Sequence, residues 1–446
     1  MSSVSGPFLK PHRLPGMVTV RGRAALAAGA AARWASRVTG RGAGAMIGGL
    51  VALALDKSLL RQLGRGRRSV VVTGTNGKST TTRMIAAALR TIGPVATNDT
   101  GANMDAGLVA ALATARDAPL AALEVDEMHV PHVLDAVEAG VVVLLNLSRD
   151  QLDRVGEINH IERTLRAGLA RHPSAVVVAN CDDVLMTSAA YDSPNVVWVA
   201  AGGGWANDSV SCPRSGEVIV RHGAHWYSSG TDFKRPTPHW WFDETNIYGP
   251  EGITLPMTLA LPGSVNRGNA TQAVAAAVTM GADAAAAVAA VSAVDEVAGR
   301  YRTVRLGEHT VRVLLAKNPA GWQEALSMVD KHGAGVVISV NGQVPDGEDL
   351  SWLWDVRFEH FEDTQVVAAG ERGTDLAVRL GYARVEHTLV HDTVAAIASC
   401  PPGHVEVIAN YTAFLQLNRE LERRGPRGQE RWAHVRRTGA DRGEHG

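Results

Sequence analysis

The stretch Ser69-Val70-Val71-Val72-Thr73-Gly74-Thr75-Asn76-Gly77-Lys78-Ser79-Thr80 decides the fold of this chain. Its first residues form a short β-branched run of the kind that makes a buried parallel strand. The glycine-rich loop follows at once, and beyond it Thr81 to Leu89 carries helical apolar spacing at Met84, Ile85, Ala88 and Leu89. Strand, loop and helix in that order make a phosphate site. Gly74 and Gly77 let the backbone approach an anion, successive N–H groups and the following helix N-terminus favour negative charge, and Gly74 to Thr80 are the expected nucleotide-binding residues. Lys78 is set to reach the terminal phosphates of a nucleotide and Ser79 to ligate Mg²⁺. Val72 stands where the longer Walker loop has its first glycine, so this is the shorter Gly-Thr-Asn-Gly-Lys-Ser-Thr form.

Working outward, further strands are expected at Leu120–Val125, Val141–Leu147 and Ala175–Ala179, with helical stretches between them. Such alternation implies a parallel sheet covered on both faces, an α/β fold. Glu124 ends one of these strands, where open α/β sheets place ligand-binding groups, and is expected in the Mg²⁺ shell with Ser79. A solvated carboxylate suits Asp126 or Glu127 of the same acidic run better. From about Ala200 to Leu261 the texture changes to Gly, Trp, His and short strand-like pieces, an inserted β-rich module. A second α/β pattern has strand candidates at Val311–Leu315, Gly335–Val340, Gln365–Ala369 and Val405–Ile408.

The expected organisation is an Arg/Ala-rich segment 1–42, a central ATP-binding domain 43–300 with its module at about 201–245, a C-terminal α/β domain 301–422, and a tail 423–446. The tail is Arg, Gly and Glu with too few apolar residues to fold alone. A length of 446 residues fits such a multidomain plan. The formal charge of −1 gives no global field toward nucleic acid, although Lys and Arg are unevenly placed. Three scattered cysteines, Cys181, Cys212 and Cys400, make no disulfide framework and point to a reducing, cytoplasmic setting. The apolar run Ala43–Leu55 is shorter than the roughly 20 residues that span a bilayer, so it reads as a packed helix or a membrane-surface contact.

The loop, the segment Asn146-Leu147-Ser148-Arg149-Asp150-Gln151-Leu152-Asp153-Arg154, the segment Pro262-Gly263-Ser264-Val265-Asn266-Arg267-Gly268-Asn269-Ala270, and Gly299-Arg300-Tyr301 together resemble the Mur ligases of peptidoglycan synthesis. Thr97–Asn103, Lys317-Asn318-Pro319-Ala320-Gly321 and Asp349-Leu350-Ser351-Trp352-Leu353-Trp354-Asp355 are most similar to the MurT family within them. The resemblance implies that ATP phosphorylates the α-carboxyl of D-glutamate in the lipid II stem peptide, and that ammonia from a separate GatD-type glutaminase then gives D-isoglutamine. It places Asn266 and Asn269 at the nucleotide, and Lys78, Mg²⁺ and Arg300 as cations around the transferred phosphate. It also implies that an aspartate of the tryptophan-rich motif, Asp355 ahead of Asp349, completes the partner's Cys-His-Asp set. Lys317 is left without a settled role. Peripheral contact with the inner face of the membrane would come through the substrate.

Two departures stand out. Many amino-acid-adding Mur ligases carry a His where Gln151 stands and a modified Lys beyond it, whereas this chain has no lysine between Lys78 and Lys234. That favours amidation over addition of an amino acid by the chain alone; a nucleotide-binding scaffold without turnover is the remaining alternative. Relatives also often hold a four-cysteine zinc ribbon in the module. Here Ser215, Ser228 and Thr231 replace three of the four ligands beside Cys212, so no structural zinc is expected. His222, His225 and His239 are scattered, and Trp226, Trp240 and Trp241 are expected to supply an apolar core instead.

Overall fold

The computed structural model describes residues 18–38, 45–98, 101–148, 157–203, 206–294, 301–330, 333–347, 349–361 and 364–424. The chain falls into two compact units that divide near Val297. In the first, β1 (Arg68–Thr73), β2 (Val95–Thr97), β3 (Leu120–Glu124), β4 (Val141–Leu144), β5 (Val176–Asn180) and β6 (Val196–Val199) form one sheet in the order β2-β3-β1-β4-β5-β6. Every pairing in it is parallel. Val70, Val71 and Val72 are fully buried, as a strand covered on both faces requires. The helix Lys78–Leu89 packs against the helix Ser264–Thr279. Gln272 Nε2 on the latter donates to the Leu144 carbonyl at 2.9 Å, fixing that helix to β4. Four expected strands are thus present, while β2 and β6, three and four residues long at the two edges, are additions to them.

Arg67, just before β1, is buried. Its guanidinium donates to the carbonyls of Leu63, Ala115, Leu112 and Arg116. It thereby closes the C-terminal end of the helix Asp105–Thr114, where a cation is favoured. Arg67→Ala would remove those four bonds, although the Ala115 carbonyl keeps the Ala118 N–H. Denaturant unfolding is expected to show a loss of about 2–4 kcal/mol.

Among the helices that precede the sheet are α1 (Val20–Val38) and α2 (Ala45–Leu55). They run antiparallel, with the Arg21 guanidinium on the Leu55 carbonyl and Gly29 against Gly48. A β-carbon on Gly29 would lie 2.4 Å from the Gly48 carbonyl oxygen, and one on Gly49 would lie 2.0 Å from that of Ala106. Only glycine permits this approach, so one face of α2 is packed backbone to backbone. Among the described residues no helix is long and apolar enough to cross a membrane.

The module contains a hairpin, β7 (Ile219–His222) with β8 (His225–Ser228), and a three-stranded antiparallel sheet of β9 (Trp241–Phe242), β10 (Asn246–Tyr248) and β11 (Thr254–Pro256). Val184, Cys212, Ile219, Trp226 and Phe233 form a small core under the hairpin. Trp226 belongs to it and Trp240 is buried against Gly249, but Trp241 is exposed and stacks on Tyr248 at 5.3 Å. The expectation that all three tryptophans share one core is corrected on that point.

The second unit holds β12 (Tyr301–Leu306), β13 (His309–Leu315), β14 (Gly335–Ser339), β15 (Val366–Ala369), β16 (His387–Leu389) and β17 (Gly403–Ala409), ordered β12-β13-β17-β14-β15-β16. All pairings are parallel except that of β12 with β13. The edge strand β12 follows directly on the expected domain boundary at 300/301. Its exposed Thr303 and Arg305 alternate with half-buried Val304 and Leu306, as in a strand solvated on one side.

Candidate nucleotide site and a presented carboxylate

The loop leaves β1 through Gly74, at φ +142°, and enters the helix through Gly77, at φ +83°. Both are in the region L side chains avoid, and both are crowded. A β-carbon on Gly74 would lie 2.8 Å from the Leu145 side chain, and one on Gly77 would lie 2.8 Å from Asn269 Oδ1. Asn146 then fixes the loop. Its carbonyl accepts from the Thr75 N–H at 2.8 Å, its Oδ1 accepts from the Asn76 N–H at 2.9 Å, and its Nδ2 donates to the Asn76 carbonyl at 3.0 Å. Thr75 Oγ1 bonds both the carbonyl and the N–H of Ser148. The Thr75 and Asn76 N–H groups are thus spent on Asn146 and shape the loop. The helix beginning at Lys78 has no side-chain cap, so the N–H groups of Lys78, Ser79 and Thr80 remain the anion-facing set.

Lys78 is buried, and its ammonium donates to the carbonyls of Gly74 and Thr75 and to Glu127 Oε1, the last at 3.0 Å. Glu127 is buried too, not the solvated carboxylate its sequence suggests. Asp126, its neighbour, caps the following turn by accepting from the Met128 N–H. Glu124 pairs in register with Val72, two residues before the loop begins. Asn98 holds it there, with Oδ1 accepting from the Glu124 N–H and Nδ2 donating to the Glu124 carbonyl, both at 2.8 Å. Buried Ser79 and Glu124 offer hydroxyl and carboxylate oxygens, the hard donors Mg²⁺ prefers. The glycine cradle, the uncapped helix and this donor set fit a magnesium nucleotide.

Asn269 closes the cradle from the side at Gly77, and Asn266, one turn earlier, donates to the Pro262 carbonyl at 2.6 Å. Both are buried. Close by in the fold, His129 Nε2 lies 2.7 Å from Asp105 Oδ1 and His132 Nε2 lies 3.2 Å from Asp105 Oδ2. This cluster joins residues more than twenty positions apart, and sequence spacing gives no sign of it.

In the second unit the tryptophan-rich motif is a short 3-10 turn, Ser351–Trp354, capped by Asp355. Trp352 is buried and stacks on buried Trp322 at 5.4 Å. Arg379, from the helix Gly373–Tyr382, donates to the carbonyls of Leu353 and Val356 and to Glu359. The turn is thus held from beneath on both sides of Asp355. Asp349 is committed, accepting from the Ser351 N–H at 2.8 Å, which holds its carboxyl below the ordinary range. Asp355 is half-buried, and among the described residues nothing is seen to bond its carboxylate. Around it Trp354, Val378 and Tyr382 are exposed at 56%, 52% and 74%, an apolar surface beside an available carboxylate.

The model of the Mur ligase middle domain matches residues 72–277, and that of the MurT ligase C-terminal domain matches residues 315–414. The lipid II isoglutaminyl synthase (glutamine-hydrolyzing) subunit MurT of Streptococcus pneumoniae is 30% identical over 421 residues, covering 85% of this chain and 92% of that protein. The chain belongs to the MurT family. The MurT subunit of Staphylococcus aureus strain COL is 28% identical over 423 residues, covering 88% of this chain and 96% of its own. Among solved structures, a pseudomurein peptide ligase type C from Methanothermus fervidus superposes with a TM-score of 0.61 at 17% identity, covering 80% of this chain and 79% of its own. MurF from Acinetobacter baumannii gives 0.60 at 17%, covering 83% and 80%. These last two show the Mur ligase fold.

Several expected positions of this MurT-family chain, Arg300, Gln151 and Asp153 among them, lie outside the described residues. Lys317 sits over the Tyr411 ring at 4.9 Å, with Asn318 capping the helix Pro319–Ser327. In the module Ser215 Oγ and Ser228 Oγ are 3.4 Å apart. Burial pushes the neighbouring Cys212 thiol up, but hydrogen bonds with Ser215 and Ser228 leave it net below its usual value. His239 accepts from the Trp198 N–H at 2.9 Å, while His222 and His225 face each other across the hairpin end. Cys181, buried and beside Asp182, has its thiol pushed up to about 12, and burial raises Cys400 as well. Neither has the electropositive setting of a nucleophile.

Proposed function

We propose that this chain is the ATP-consuming subunit of a two-protein ligase that amidates the α-carboxyl of D-glutamate in lipid II, with ammonia delivered by a GatD-type glutaminase. The observation that carries the reading is the buried Gly74–Thr80 loop, with Lys78, Ser79 and Glu124 gathered at the C-terminal ends of β1 and β3, in a chain whose curated relatives bear that activity in their names. The substrate carboxylate would attack the γ-phosphorus, ADP would leave, and ammonia would then displace phosphate from the acyl phosphate, losing a proton as the amide forms.

A carboxylate attacking a phosphoryl group brings two anions together, so cations and N–H dipoles must offset their repulsion. The N–H groups of Lys78, Ser79 and Thr80 would hold the β- and γ-phosphates. Lys78, leaving its contacts with the loop carbonyls and Glu127, would follow the charge, and Arg300 would add a second cation. Ser79 and Glu124 would hold Mg²⁺, which when bound neutralises charge across the phosphates. Asp355 would orient the partner's catalytic His, with Trp354, Val378 and Tyr382 forming the surrounding contact. Work on a lipid-linked substrate would place the protein at the cytoplasmic face of the membrane.

Lipid II bearing heavy oxygen in the D-glutamate α-carboxyl tests the chemistry. Transfer of one heavy oxygen to the released phosphate is expected, since the acyl phosphate bridges through it. Phosphate without label would exclude the acyl phosphate. We further propose that the Cys212, Ser215, Ser228 and Thr231 cluster holds no zinc, hydroxyls being poor ligands for it. Metal analysis of the purified chain should find less than stoichiometric zinc, and one zinc per chain would overturn this.

A further inference from the structure

Among the described residues nothing covers the outer face of the α1–α2 hairpin. On α2, Gly48, Gly49 and Ala52 face inward, whereas Met46, Ile47 and Leu50 are exposed at 58%, 41% and 57%. Positions 46, 47, 50 and 54 fall within about a third of a turn, so these apolar side chains form one stripe. On α1, Trp34 is 68% exposed, and Val20, Arg23, Ala27 and Ala30 share its side of the helix. Because Gly29 lies against Gly48 and the helices are antiparallel, Trp34 and Met46 both lie on the loop side of that crossing.

The charge of this region is as one-sided as its outer face is apolar. From Met1 to Leu55 the sequence has Lys10, Arg13, Arg21, Arg23, Arg33, Arg37 and Arg41 and not one Asp or Glu. The first acid, Asp56, is buried and bonded to Ser58 and Gln62. The chain as a whole is nearly neutral at −1, so this segment concentrates positive charge that the rest offsets. An exposed apolar stripe carrying an amphipathic tryptophan, within a purely basic segment, is what an anionic lipid surface binds. A protein partner of ordinary composition gives no reason for excluding every acid over 55 residues.

We propose that the α1–α2 hairpin is a docking surface for the anionic bilayer, with Met46, Ile47, Leu50 and Trp34 entering the headgroup boundary and Arg23, exposed on the Trp34 side of α1, meeting lipid phosphates. α2 then lies in the plane of the interface, since it is too short to span it. The contact would hold the protein at the surface independently of its substrate. The inference stands on the hairpin alone, apart from the amidation reading.

The test is co-sedimentation of the full chain, without lipid II or nucleotide, with phosphatidylcholine vesicles that do or do not contain phosphatidylglycerol. Binding to the anionic vesicles is expected, weakened by salt, with little to the neutral ones. The double variant Ile47→Glu/Leu50→Glu should bind at least about tenfold more weakly while keeping the wild-type melting transition. Trp34→Ser, on the other helix, should weaken binding in the same direction and guards against misfolding of the double variant. No binding to anionic vesicles, equal binding to neutral ones, or variants that bind as wild type would overturn the proposal. So would a wild-type dimer that Leu50→Glu converts to monomer, which would assign the face to a second copy. Loss of amidation in solution with vesicle binding intact would instead count against the function proposed above.

Discussion

Replacing Asp355 with asparagine is expected to abolish glutamine hydrolysis by the assembled complex while nucleotide binding by this chain stays unchanged. An aspartate that orients a catalytic His fixes its tautomer, and its loss in comparable sets costs about 10⁴-fold in rate. The geometry separates the two aspartates of the motif. Asp349 spends its carboxylate on the Ser351 N–H, so Asp349→Asn should leave hydrolysis within a few-fold of wild type. Asp355 sits on a turn that Trp352 anchors and Arg379 holds from below, surrounded by exposed Trp354 and Tyr382. Steady-state glutaminase assays with limiting and with saturating partner distinguish the outcomes. Normal hydrolysis by Asp355→Asn would remove the residue from the partner's active site, and a defect seen at limiting partner but absent at saturating partner would make it a binding contact only.

Lys78→Met is expected to lower ATP turnover by about 10³-fold or more, because the cation that follows charge onto the leaving phosphate is gone. Lys78 is also the counterion of buried Glu127, at 3.0 Å. Removing it alone leaves a buried carboxylate uncompensated, so Lys78→Met should also destabilise the protein, by about 3–5 kcal/mol. The double variant Lys78→Met/Glu127→Gln should recover much of that stability and none of the turnover. Thermal melts beside ADP release separate the two effects. Turnover restored in the double variant would mean that Lys78 serves the fold and not the chemistry.

How much of this was readable beforehand follows from the range of the interactions involved. The strand, loop and helix around Gly74–Thr80 are local, and their residue types announce them. The buried strands at Val141 and Gly335 are equally plain, being unbroken apolar runs. What stayed hidden depends on residues far apart in the chain. Asn146 reaches back some seventy positions to take the Thr75 and Asn76 N–H groups, and nothing in the loop's own sequence shows that those donors are spent. Glu127 reads as a solvated acid until the fold places it on Lys78. Asn98 shows its use only once β2 and β3 lie side by side, since it bonds the Glu124 backbone across the pair. Trp241 illustrates the converse, since a large aromatic suggests a core but its place on an edge strand left it exposed against Tyr248. Asp355 was singled out through the family resemblance, and what the fold adds is that the Asp349 carboxylate is bonded to the Ser351 N–H.

The most direct measurement combines the purified chain, its glutaminase partner, lipid II, MgATP and glutamine carrying heavy nitrogen in its amide, with the stem peptide then analysed by mass spectrometry. A carboxamide bearing the heavy nitrogen at D-glutamate, formed together with an equal amount of ADP, is the predicted result. Glutamine hydrolysed and ATP bound, with the D-glutamate carboxyl unchanged and no ADP released, would contradict it.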